Sequence, residues 1–341
     1  MKHVYIIFIF FTLITSSCKN KEKNSDSFPL VIRVENLNRT DTIKKINAVE
    51  IPIEVTIAPA RMKIVNNFLF VSCFQCEPMI YIFSLPDAQF VNSFGIKGQG
   101  PDDFFYSVFC DGSFNHLYIW GYADIRKINK FSINNEGELI FQTGISLNEP
   151  KIMNQIHLLK DSFIIYNTFP EDLSLKKIDL SNQEKVKEVH FKKDNDSNES
   201  AFQSNRGNLA ASNNGIAYLY LYRDKIDFFD LDLNLKTAIE DESKKNINIK
   251  KNIQYYKDNT LYYTTQYAGE KSLYALCKGS SLNDKLNSMS SCIKEYDWNG
   301  NQIAVYNLDH ALELFVVNED EKKLYGYSIN NPDVFLVYNL N

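Results

Sequence analysis

Six Cys and five His are the residues of this chain best suited to chemistry, and their spacing supports little of it. Cys73-Phe74-Gln75-Cys76 is a C-x-x-C. Thiols in that pattern serve redox exchange where the motif opens a helix, whose dipole lowers a thiol pKa. Here the motif continues the strand-like run Phe68-Leu69-Phe70-Val71, so a pair of buried or half-buried strand cysteines is expected. No second C-x-x-C completes a zinc site. Cys277 and Cys292 flank a polar segment, 278–291, and are candidates for a disulfide across the base of that loop. His3, His116, His157, His190 and His310 stand alone, without H-x-x-x-H or H-E-x-x-H spacing. There is no G-x-S-x-G for a nucleophile elbow. Asp194, Asp196 and Asn198 resemble a calcium loop, but Glu199 stands where such a loop needs Gly, and Asn205 where it needs Glu. Residues 192–200 read as a solvated loop. No metal and no cofactor is expected, and no catalytic residue stands out.

The start of the chain carries a different kind of chemistry. Met1-Lys2-His3 is a short basic region, followed by an apolar run from Val4 to Ile14. Eleven helical residues would span only about 16 Å, against the roughly 20 residues that a bilayer core requires. The run therefore reads as the apolar part of a signal peptide. Thr15-Ser16-Ser17-Cys18 then resembles a lipobox, in which the Cys is lipidated and becomes the new N-terminus. The alternative is ordinary cleavage near an incidental Cys. Residues 19–27 contain no apolar side chain and read as a tether. The expected organisation is a signal peptide over 1–17, a lipidated Cys18 with its tether over 18–28, and a folded body over 29–341. The expected location is the cell envelope. Lys19 after the lipidated Cys favours the outer membrane over the inner one, by resemblance to known sorting rules.

The body must be mostly sheet. The chain has 20 Tyr and 24 Phe against 13 Gly, and aromatics suit half-buried pleated surfaces. A net charge of −5 without a dominant basic block argues against a nucleic-acid partner. Short apolar runs alternate with Asn, Asp, Gly and Ser, and one triplet recurs: apolar, small polar or acidic, apolar. It appears as Phe83-Ser84-Leu85, Phe131-Ser132-Ile133, Ile178-Asp179-Leu180, Phe229-Asp230-Leu231, Tyr296-Asp297-Trp298 and Tyr338-Asn339-Leu340. The middle positions are 84, 132, 179, 230, 297 and 339, at intervals of 48, 47, 51, 67 and 42. Repeats of that length with several strands each indicate a β-propeller. Six triplets predict an all-β, six-bladed propeller, with 278–291 as an insertion in the long interval. The last triplet falls at the C-terminus, so the strand due after it must come from the N-terminal side; 30–34 and 50–57 are both extended enough. Such closure removes a free sheet edge.

Phe94-Gly95-Ile96-Lys97-Gly98-Gln99-Gly100-Pro101-Asp102-Asp103-Phe104 resembles the G-x-x-G-x-G-P-x-[DE]-F signature of the TolB-like six-bladed β-propeller lipoproteins of Bacteroidota-type bacteria. Residues 202–208, 272–276 and 296–300 are also similar to that family, across essentially the whole mature chain. Asp102 stands where the family commonly has a second Gly. The resemblance implies fold and location more than chemistry. The segment lacks the later Gly of a dinucleotide fingerprint and the Gly-Lys-Ser/Thr of a phosphate loop. Gly95, Gly98, Gly100 and Pro101 are expected to form a turn from one blade to the next, the glycines supplying positive φ and close packing. Propellers place ligands on loops at one end of the channel, and Arg206 and Tyr267 are the candidates for such a role. The expectation is a noncatalytic module for an envelope protein, peptide or glycan. An envelope hydrolase or lyase, or a structural part of an envelope complex, are the alternatives.

Overall fold

The recurring triplet marks one place in six sheets, the end of the third strand. The computed structural model describes residues 32–33, 43–98, 100, 103–110, 115–122, 126–148, 153–168, 173–191, 205–240, 259–280 and 290–341. Cys18, the segments assigned to signal and tether, Pro101, and residues 192–200 lie outside them. Three short strands come first, β1 (Ile32–Arg33), β2 (Ile43–Ile46) and β3 (Val49–Pro52). The first blade is β4 (Arg61–Val65), β5 (Phe68–Ser72), β6 (Ile80–Ser84) and β7 (Gln89–Phe94). The second is β8 (Phe104–Cys110), β9 (Leu117–Tyr122), β10 (Lys127–Ile133) and β11 (Leu139–Ser146). The third is β12 (Met153–Leu159), β13 (Phe163–Thr168), β14 (Ser174–Asp179) and β15 (Lys185–His190). The fourth holds β16 (Gly207–Ser212), β17 (Gly215–Tyr220), β18 (Lys225–Phe229) and β19 (Leu235–Glu240). The fifth holds β20 (Leu261–Ala268), β21 (Ser272–Ser280), β22 (Cys292–Asp297) and β23 (Gln302–Leu308). The sixth is β24 (Leu314–Asn318), β25 (Lys323–Ser328) and β26 (Asn331–Asn339), with β3 as its fourth strand.

The innermost strands β4, β8, β12, β16, β20 and β24 neighbour one another in that order, and β24 lies against β4. The ring is therefore closed and six-bladed. Middle strands are buried on both faces, because each blade is sandwiched between two others. This explains why β6, β17 and β25 read as near-continuous apolar runs. Outer strands keep an exposed face, as in β11, where Ile140 and Phe141 stand in solvent.

The triplet has a mechanical role. In the first five blades the ladder between third and fourth strands slips at the triplet, at Ile82/Phe83, Lys130/Phe131, Lys177/Ile178, Phe228/Phe229 and Glu295/Tyr296. One residue of each following turn takes positive φ: Ala88, Gly137, Gln183, Leu233 and Gly300. A bulge of this kind increases local twist. The polar middle residue ties the turn. Asp230 Oδ1 accepts the N–H groups of Asp232 (2.9 Å) and Asn234 (2.8 Å). Asp297 Oδ1 accepts those of Asn299 (2.9 Å) and Asn301 (2.8 Å).

The N-terminal strands run along the rim of three consecutive blades. β1 lies parallel on β19, β2 parallel on β23, and β3 antiparallel on β26. Ala48, between β2 and β3, donates its N–H to Asp309 at 3.3 Å. Three sheet edges are thereby covered.

Two expectations about cysteine need correction. Cys73 and Cys76 are joined in a disulfide. β5 ends at Ser72, so the chain turns at once and brings the two Cα atoms to 5.3 Å, within disulfide reach. Cys277 and Cys292 face each other in the β21–β22 ladder, but no disulfide joins them. The long triplet interval takes up two connections, 241–260 and 281–291, where a single insertion was expected.

Candidate functional site

Antiparallel pairing within every blade divides the connections between two faces. Turns from first to second and from third to fourth strands lie on one face. They are short: 66–67, 85–88, 134–138, 160–162, 180–184, 213–214, 230–234, 269–271, 298–301 and 319–322, with 111–116 the longest. Turns from second to third strands, and the crossings to the next blade, open on the other face. The described connection 73–79 lies there, and the strand ends that bound 95–103, 191–206, 241–260 and 281–291 are on this face. A propeller face built from tight, self-satisfied turns has little freedom to vary. The long-segment face is the one that can present a binding surface.

The glycine signature belongs to this face. Gly95 follows β7 with φ +91°, and a Cβ there would enter the Phe104 ring. Phe104 is fully buried and stacks edge-on against Phe94 at 5.8 Å. Asp103 Oδ2 accepts the N–H of Gly100 at 2.7 Å, and its carboxylate fills the space that side chains at Gly98 and Gly100 would need. The motif is a blade-to-blade crossing, with Asp103 as its internal tie.

Next to it lies a basic and aromatic corner. Phe74, inside the disulfide loop, lies 5.9 Å from the Arg61 guanidinium. Its carbonyl accepts Lys97 Nζ at 3.4 Å. Arg61 opens β4, so it stands where the channel meets the long-segment face.

The channel itself is a cavity of about 150 Å³, lined from all six innermost strands. Its polar members tie blades together. Gln155 Oε1 accepts the N–H of Leu209 at 2.6 Å, and its Nε2 donates to Asn208 Oδ1 at 3.1 Å. Asn208 Nδ2 donates to the carbonyls of Tyr263 and Thr264, both at 3.2 Å. Gln266 Nε2 donates to the Leu209 carbonyl at 2.9 Å. Thr265 Oγ1 donates to the Glu313 carbonyl at 3.0 Å. His157 lines the cavity and is buried. Carboxamides and hydroxyls share this lining with apolar side chains, His157 and the Arg61 guanidinium, and no carboxylate is among the cavity's lining residues. Such a surface can recognise polar groups by hydrogen bonding, with one cation, Arg61, at its mouth. Among the described residues no cluster of His, Cys, Asp or Glu could hold a metal ion.

A further tie lies where the fourth and fifth blades meet. Asp224, in the turn between β17 and β18, accepts the Tyr263 hydroxyl at 2.6 Å and Lys294 Nζ at 3.3 Å. Burial, then the Tyr296, Asp224 and Cys277 charges beside it, push the Tyr263 hydroxyl well above its ordinary pKa. It stays a donor.

The two candidates from sequence do not form one site. Arg206 is half-buried at the start of β16, on the long-segment face, where its carbonyl accepts the N–H of Leu221 at 2.8 Å. Tyr267, toward the other end of β20, lines the channel cavity; it is 8% exposed, with its ring centroid 6.3 Å from that of Tyr274. Sequence reasoning missed Arg61, Phe74, Gln155, Asn208 and Gln266. Their common signal was position at the start or middle of an innermost strand, or beside it, which requires the blade register to be known first.

No curated protein sequence matches significantly. Solved structures with similar architecture include U3-55K, with 6% identity, TM-score 0.48, and coverage of 86% of this chain and 98% of that one. A Myceliophteria thermophila Cps50 (Swd1) β-propeller domain gives 10% identity, TM-score 0.49, and coverage of 86% and 100%. BamB from Moraxella catarrhalis gives 10% identity, TM-score 0.36, and coverage of 84% and 74%. The family described as TolB-like 6-blade propeller-like matches residues 45–320. That match reaches into every blade of the closed six-bladed ring, and the chain belongs to the TolB-like six-bladed propeller family.

Proposed function

We propose that this chain is a cell-envelope lipoprotein, anchored by lipid on Cys18, whose propeller is a noncatalytic module that binds an envelope protein, peptide or glycan. The observation that carries the binding role is the channel mouth, where Arg61 lines the cavity and lies 5.9 Å from the Phe74 ring, on the face toward which the strands bounding every long connection end. The hydrogen-bonding channel, free of lining carboxylates, and the Arg61–Phe74 corner at its mouth support recognition over acid–base chemistry. The anchor rests on the sequence of residues 1–18. Lipid on Cys18 and a tether of about ten residues would hold the body near a membrane, in the outer membrane by preference.

Two measurements test this reading. Cys18→Ala should move the protein from the membrane fraction to the soluble one; unchanged membrane association would show that the anchor is misassigned. Pull-down from solubilised envelope, paired with glycan and peptide arrays, should give a partner or ligand lost in Arg61→Glu. Turnover of an arrayed substrate without a stable partner would overturn the binding role.

A further inference from the structure

On the short-turn face, away from the channel, a cleft of about 390 Å³ opens between the fifth and sixth blades. Its floor is Glu295, near the end of β22 and 9% exposed. Glu295 Oε1 accepts the Ser272 hydroxyl at 2.9 Å, and Oε2 accepts the Tyr306 hydroxyl at 2.8 Å. The buried Tyr274 hydroxyl faces the same carboxylate. Burial, then the Glu295 charge, push both tyrosine hydroxyls above their ordinary pKa, so both remain proton donors.

The carboxylate is thus satisfied in hydrogen bonds, but among the described residues no Lys, Arg or His nitrogen forms an ion pair with it. That is unusual, because a buried charge is normally paired as well as hydrogen-bonded. Glu319, the other acid of the cleft, is committed to the backbone: it accepts the N–H groups of Lys271 (3.0 Å) and Ser272 (2.9 Å). The positive charges stand at the rim. Lys44, on β2, holds its Nζ 5.6 Å from the Tyr306 ring centre. Lys322 is exposed on the turn after β24. The cleft therefore has an uncompensated negative floor, aromatic walls and a positive rim. Its volume falls in the range of small-molecule pockets.

We propose that this cleft binds a small zwitterion of amino-acid size, its ammonium group on Glu295 between the Tyr274 and Tyr306 rings and its carboxylate at Lys44 and Lys322. The ammonium would supply the missing counter-charge and gain cation–π attraction from both rings. The separation of floor from rim selects against plain cations and plain anions. The N-terminal strand β2 brings Lys44 to the site, so the segment that follows the proposed tether forms one wall.

Titration calorimetry on the full chain in detergent tests this with three probes: L-alanine, the cationic L-alaninamide and the anionic N-acetyl-L-alanine. Alanine should bind at least about tenfold more tightly than either capped form. Glu295→Gln should weaken alanine by at least about tenfold. Lys44→Glu, at an exposed position that cannot upset the core, should weaken alanine yet leave alaninamide unchanged or tighter. If Glu295→Gln fails to fold, Lys44→Glu carries the test alone. No heat with alanine, equal binding of a capped form, or wild-type affinity in Lys44→Glu would each overturn the proposal. A failed partner capture on the other face would leave this result untouched, so the two readings fail separately.

Discussion

Asp230 and Asp297 occupy the same place in successive blades, each ending a third strand and accepting two backbone N–H groups of the turn that follows. Each carboxylate also accepts the side-chain amide of the Asn four residues on, at 2.8 Å. Burial raises the pKa of both acids, but these hydrogen bonds outweigh it and hold both below the usual range. A carboxyl whose folded pKa is depressed contributes stability above its unfolded pKa, and that stability is lost as pH falls through the folded value. Wild-type stability should therefore decline below about pH 4, the ordinary Asp range. Asp297→Ala should cost about 1–3 kcal/mol by leaving the turn untied, and should flatten part of the acid decline. Urea unfolding across pH 3–7 measures both effects.

The glycine crossing gives a sharper test. At φ +91°, Gly95→Ala carries a backbone cost of about 1–3 kcal/mol, and its Cβ displaces the Phe104 ring. A drop in melting temperature larger than that of Asp103→Ala is expected. Asp103→Ala removes one hydrogen bond to Gly100 but leaves Phe104 in place.

Thiol chemistry should divide the described cysteines into two groups. Alkylation in denaturant without reductant should label Cys110, Cys277 and Cys292, and leave Cys73 and Cys76 unlabelled. In the folded protein Cys292 should resist alkylation at neutral pH, because burial, then the Cys277 thiol beside it, push its pKa up to about 12. Peptide mass spectrometry reads both results. Cys73→Ser with Cys76→Ser should lower stability by about 2 kcal/mol, the loop-closure value for so short a loop.

The N-terminal strands should separate into a cap and a keystone. Deleting residues up to 47 removes β1 and β2 and uncovers the edges of β19 and β23. Melting should fall modestly and concentration-dependent association should rise, as expected of newly bared edges. Deleting up to 52 also removes β3, leaves β26 unpaired and opens the sixth blade; cooperative unfolding should be lost. Light scattering and calorimetric melting distinguish the two deletions.

In the channel, Gln155→Leu leaves the Leu209 N–H and Asn208 Oδ1 without the partners that Gln155 supplies. A buried donor stripped of its acceptor costs about 1–3 kcal/mol. Amide exchange at Leu209 should accelerate more than exchange at the neighbouring Ala210.

Much of the fold was legible in the residues themselves. Six aromatic–polar–apolar triplets marked six third strands, because the polar residue satisfies a turn formed by its own next four residues. Gly95-x-x-Gly-x-Gly marked a blade crossing, because positive φ and a bound Asp103 are local needs. Blade number, the sheet class and the crossing are all set by interactions short in sequence, so a single chain carries their signal. The cysteines marked the limit: whether Cys73 continues a strand or turns depends on where β5 ends, which its partner strands decide. The remaining features come from side chains about forty residues apart or more. Gln155 meets Asn208, Asp224 meets Tyr263 and Lys294, and Lys44 reaches Tyr306 only after the ring has closed. Six blades and a closing N-terminal strand could be read from the sequence; the polar channel and the Glu295 cleft exist only in the folded chain, because each is made where blades meet.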